Sequence, residues 1–168
     1  MTLSMYQASV PVFTRALRNL THVLKQGEAL AQAKNFAPEV LLQTRLIADM
    51  LPLVKQVQIA CDMAARGAAR LAGAEPKSFE DNEASFAELY DRLDRAIAYI
   101  ESFGPEQIDG SETRPIHLKM RSGDRNFEGR DYLLQFTLPN MFFHCTTAYD
   151  ILRQAGTPIG KLDFIGQS

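Results

Sequence analysis

The 168-residue sequence is short of several things, and each shortage removes a class of protein. It has no stretch near the roughly 18 uninterrupted apolar residues that a spanning helix needs, which argues against a membrane protein. Its start, MTLSMYQASVPVF, lacks the basic lead and continuous apolar segment of a secretory signal, so a cytoplasmic location is expected. Lysine and arginine number 18 against 20 aspartates and glutamates, and the two signs are interspersed. There is thus no basic footprint for nucleic acid or for an anionic membrane surface. Only two cysteines occur, Cys61 and Cys145, without CxxC spacing and in apolar surroundings, so buried reduced thiols are expected and not a disulfide. The glycines of RSGD and EGRD do not make a phosphate-binding loop, and no serine sits in a nucleophile elbow.

What is present is helical periodicity. Apolar residues make up 46% and charged residues 23% of the chain, ordinary globular usage for one domain over residues 1–168. Tyr6, Val10, Phe13, Leu17, Leu20 and Leu24 recur at three- and four-residue steps, predicting a first helix over 6–24 with Ser4 as its cap. Gly27 is read as a break before a shorter helix in EALAQAKN. A long second helix is expected over 38–72, with Gly73 just past its end. A third is expected in FAELYDRLDRAIAYIESF, with Phe86, Leu89, Leu93, Ile97 and Ile100 on one face. RPIHLKM, RSGD and RNFEG read as strand, turn and return strand, and a fourth helix follows from 129–131 to 154 or 155. The tail TPIGKLDFIGQS is expected to dock along the helices. The fold class is therefore all-α: an antiparallel four-helix bundle with a small β-hairpin inserted between helices three and four. Pro11, Pro52 and Pro139 fall inside the predicted helices and should bend three of them.

Chemistry concentrates on two helix faces. Asn140 and His144, four apart, share a face of the fourth helix, and Arg45, Asp49 and Gln56 share one of the second. If these faces meet, a carboxylate, two carboxamides and an imidazole converge. Such a cluster would hold a divalent transition metal such as zinc, nickel or manganese through Asp49 and His144, or a small ligand through Gln56 and Asn140. Its alternative is a closed hydrogen-bond network, with Asp49 orienting His144 or pairing with Arg45. His22 is expected at the surface and His117 in the hairpin. The aromatic series Tyr132, Phe136, Phe143 and Tyr149 reads most simply as core.

The segments SVPVFTRALRNL, LIADMLPLVKQVQIACDMA, SFEDNEASFAEL and GRDYLLQFTLPNMFFHCTTAYDILRQAG, in this order and spacing, resemble an uncharacterised bacterial domain-of-unknown-function family of the DinB-like superfamily. The likeness covers nearly the whole chain. It implies a four-helix bundle, frequently a homodimer, in which many members hold a divalent metal with three histidines. One of these comes from the second helix and two lie four residues apart on the fourth; some superfamily members resemble metal-dependent thiol transferases. Carried onto this sequence, the last histidine matches His144, the preceding one falls on Asn140, and the second-helix one falls near Asp49. A non-catalytic, metal-free homodimer with a structural polar cluster is the other reading.

Overall fold

The computed structural model describes residues 3–120 and 123–166. The first long helix, α1 (Val10–Ala33), begins later than the periodicity predicts. Ser4 and Gln7 exchange hydrogen bonds across a separate turn ahead of it. Gly27 does not break α1. It is buried, and a Cβ there would come within 2.6 Å of Leu152 Cδ2. The glycine lets α1 and the last long helix approach closely, and this packing outweighs the roughly 1 kcal/mol helix cost of glycine.

The expected second helix splits. A single turn, α2 (Glu39–Leu42), is followed by an irregular connection over 43–52, and α3 (Leu53–Leu71) starts only after Pro52, which is extended at ψ 166°. A proline pushes the residue before it out of the helical region, so an apolar pattern that runs through Leu51 and Pro52 need not be one helix. Leu53 N–H donates to the Thr44 carbonyl at 2.9 Å and closes the connection. Gly73, at φ 72°, ends α3 as expected. The third long helix, α4 (Phe86–Glu101), opens with a capping box between Ser85 and Glu88.

A short helix, α5 (Pro105–Ile108), leads to the hairpin β1 (Pro115–Leu118) and β2 (Arg125–Glu128), antiparallel with Ile116 opposite Phe127. The expected RSGD turn lies partly outside the described residues, at Arg121 and Ser122. One helical column then runs from α6 (Gly129–Asp131) through a π-helical stretch (Tyr132–Thr137) into α7 (Leu138–Gln154). Leu138 N–H donates five residues back, to Leu133, immediately before Pro139. The tail forms α8 (Lys161–Ile165) and lies against α1.

The proline bends are therefore corrected. Pro11 sits in the first turn of α1, where no N–H is needed, and Pro52 lies outside α3. Only Pro139 is inside a continuous helical column, directly after the widened turns. Those turns also shift the phase of the apolar stripe, since an extra residue per turn rotates the following face. Tyr132 is buried, Phe136 and Tyr149 are half-buried, and Phe143 is 56% exposed, so the aromatic series is core only in part.

α1 and α3 each pack against both α4 and α7, enclosing one contiguous apolar core. Alanines 60, 64, 65, 68 and 69 give α3 a close-packing surface. Among the described residues no helix is long and apolar enough to cross a membrane.

Candidate functional site

The start of α3 and the middle of α7 carry the polar seam. Gln56 is buried in the first turns of α3, and its Nε2 donates to the Leu51 carbonyl at 2.9 Å. This fixes the other end of the carboxamide as the acceptor that faces α7, where His144 Nδ1 lies 2.7 Å from Gln56 Oε1. An amide oxygen only accepts, so the network assigns the imidazole proton to Nδ1 and leaves a lone pair on Nε2. Burial holds His144 below the usual histidine range, so the ring is neutral at pH 7. It meets the Phe143 ring at right angles, with centroids 5.2 Å apart.

The other expected members stand differently. Asn140 is half-buried one turn before His144. Asp49 is not on a helix with Gln56: it is exposed in the 43–52 connection and makes no hydrogen bond or ion pair among the described residues. Arg45 donates to the Met50 carbonyl rather than to Asp49. Breaking the expected second helix at Pro52 removes the seven-residue register that would have put Asp49 above Gln56. His22 is exposed on α1 and pairs with Asp163 at 2.9 Å, and His117 sits in the hairpin between Asn126 and Asp124. Both cysteines are buried and free.

One cluster escaped the sequence reading. Arg92 on α4 is fully buried and meets Asp62 of α3 at 2.8 Å and Asp81 and Glu83 of the connection before α4 at 3.0 Å each. It also donates to the Glu80 carbonyl, while Gln58 Nε2 donates to Glu83 Oε2 at 2.7 Å. Phe79 stacks under the guanidinium at 5.7 Å. The acidic run in SFEDNEAS looked like a solvated connection, yet it buries Glu83 against Arg92, while exposed Asp81 reaches the same guanidinium from the surface. The signal was an arginine three residues after Leu89, inside the apolar stripe of α4, with that acidic run just upstream.

The two polar sites respond oppositely to pH. Because the His144 pKa is lowered on folding, the stability tied to it is present above the ordinary value of about 6.5 and is lost as pH falls through the folded value. Burial raises the Asp62 carboxyl despite Arg66 and Arg92, so its stability contribution is present in acid and lost as pH rises through the raised value. An NMR titration is therefore expected to show the His144 ring protonating below the ordinary histidine range. In His144→Gln the loss of stability between pH 7 and pH 5 should shrink; an unchanged pH slope would refute the assignment.

The chain is a mostly helical protein with a small antiparallel hairpin inserted before its last long helix. A crystal structure of a DinB family member protein from Shewanella denitrificans matches with a TM-score of 0.89 at 35% identity, over 97% of this chain and 92% of that one. More narrowly, residues 5–165 match the model of the Domain of unknown function (DUF1993), and the chain belongs to that family. A search of curated proteins finds none that matches.

The donor set does not fit the three-histidine metal site of the wider superfamily. One imidazole is present, and the α3 group facing it is a carboxamide with both ends already hydrogen-bonded. Among the described residues, no three His, Cys, Asp or Glu side chains are grouped to hold a metal ion.

Proposed function

We propose that this chain is one cytoplasmic domain over residues 1–168, a DinB-like antiparallel four-helix bundle that binds a small hydrogen-bonding ligand at the α3–α7 seam. The Gln56–His144 hydrogen bond carries this reading. It holds a neutral ring in one tautomer, with Nε2 as an acceptor or weak base and Asn140 one turn away as a second polar group. Asp49, exposed on the adjoining connection, stands seven residues before Gln56 in the sequence and is the charged group proposed to serve the same ligand. What supports ligand binding over a cation is the chemistry of the donors: carboxamides are weak ligands toward zinc or nickel.

Elemental analysis of untagged protein purified without chelator tests this directly. Metal well below one equivalent, unchanged in His144→Ala, is expected. Near-stoichiometric zinc, nickel or manganese that drops in His144→Ala would instead assign Asp49 and His144 to a cation. Nitrogen-15 shifts of the ring should show the proton on Nδ1, and a proton on Nε2 would remove the proposed acceptor.

A second reading, a homodimer with a structural polar seam, is favoured by the surroundings of the same pair. Ile47, Leu51 and Phe143 are 61%, 45% and 56% exposed, and the last two flank the Gln56–His144 pair through the Leu51 carbonyl and the Phe143 ring. Exposed apolar side chains gathered at one place mark contact surfaces. Light scattering should give a dimer that Leu51→Glu/Phe143→Glu converts to monomer; a monomer mass for the parent protein at every concentration discards the dimer.

A further inference from the structure

A cavity of about 480 Å³ lies between α1, α7 and α8, and neither Gln56 nor His144 lines it. Its walls are mainly apolar, with Ala16, Leu20 and Val23 from α1, Phe142 and Tyr149 from α7, and Phe164 from α8. The α8 wall is fastened independently three times. Asn19 Nδ2 donates to the carbonyls of Phe164 and Ile165 at 3.1 and 2.8 Å, His22 pairs with Asp163, and Phe164 packs edge-on against Tyr149 with centroids 5.9 Å apart. The tail thus deepens a cleft between two helices into a half-open chamber, within the size range of small-molecule sites.

One charged side chain lines it. Arg15 is exposed, makes no ion pair with any described residue, and has a single long contact, from its NH2 group to the Gly166 carbonyl at 3.5 Å. Most of its donors are therefore open to an anion, which a guanidinium binds through paired charge-assisted hydrogen bonds. Cys145 belongs to the apolar wall and not to reactive chemistry, since burial pushes its thiol up to about 12. An apolar chamber whose one cation has no ion-pair partner among the described residues is complementary to an amphiphile of one negative charge.

We infer that this chamber binds an aliphatic carboxylate of medium chain length, its chain against Leu20, Val23 and Tyr149 and its carboxylate on Arg15. Titration calorimetry of the full chain with sodium decanoate, kept below its micelle concentration, tests this, with 1-decanol as the uncharged probe. Decanoate should bind one to one. Arg15→Gln should weaken decanoate about tenfold, equivalent to about 1.4 kcal/mol, and leave decanol unchanged. Ala16→Trp and Val12→Trp, each checked for a retained unfolding transition, should abolish binding of both probes. Absence of decanoate binding, decanoate binding indifferent to Arg15→Gln, or full binding in a folded tryptophan variant would each overturn the assignment. So would light scattering in which the tryptophan variants turn a dimer into a monomer, because a second copy would then occupy the chamber.

Discussion

Replacing Arg92 by methionine should destabilise the protein by about 3–5 kcal/mol, the cost of stripping one partner from a buried ion pair. The guanidinium is fully buried, and the Glu83 side chain that it contacts is only 2% exposed. Without Arg92, Glu83 keeps one neutral donor, Gln58 Nε2, and Asp62 keeps Arg66 at 2.8 Å. Glu83 is thus the group left with uncompensated charge. Arg92→Met/Glu83→Gln should accordingly recover part of the loss, a non-additivity typical of residues in one network. Urea unfolding at pH 7 measures both. A single variant within about 1 kcal/mol of the parent would show that the cluster rehydrates freely and does not clamp the 72–85 connection to α3 and α4.

The next largest effect is expected at Gly129, where the chain passes from β2 into α6. A Cβ there would lie well inside van der Waals contact with the Ser111 carbonyl oxygen, a backbone atom that no side-chain rotation can move aside. The adjoining Arg130 N–H donates to the Glu112 carbonyl at 2.9 Å and holds the two strands of chain together. Gly129→Ala should therefore cost about 3 kcal/mol, the upper end for overpacking. Gly110→Ala is the internal comparison: at φ 81° with nothing within 4 Å of its added Cβ, it carries only a backbone cost of about 1–2 kcal/mol. Thermal and urea unfolding should rank the two variants in that order. Equal losses would mean that the 111–114 turn yields easily.

The pairing of Asn140 with His144 on α7 was legible because both lie after the π-helical stretch, in one unbroken register of four. Asp49 and Gln56 were misassigned to a common face because periodicity cannot see where a chain leaves the helix. The apolar residues Ile47, Met50 and Leu51 continue the helical spacing, and Pro52 has a place both inside a kinked helix and ahead of a new one. Gly27 shows the same ambiguity in reverse. Glycine weakens a helix locally, yet here Leu152 on a distant segment occupies the space where its side chain would be.

By itself, then, the sequence determined the helical order, the hairpin between the third and fourth long helices and the buried free cysteines. These follow from local period, turn chemistry and hydrophobicity, which act over a few residues. Only the tertiary structure decided that Gln56 faces His144, that Arg92 gathers Asp62, Asp81 and Glu83, and that the tail walls a chamber beside Arg15. Those contacts join residues from nine to more than a hundred positions apart, and the orientation of one helix against another is set by the packing of all of them together.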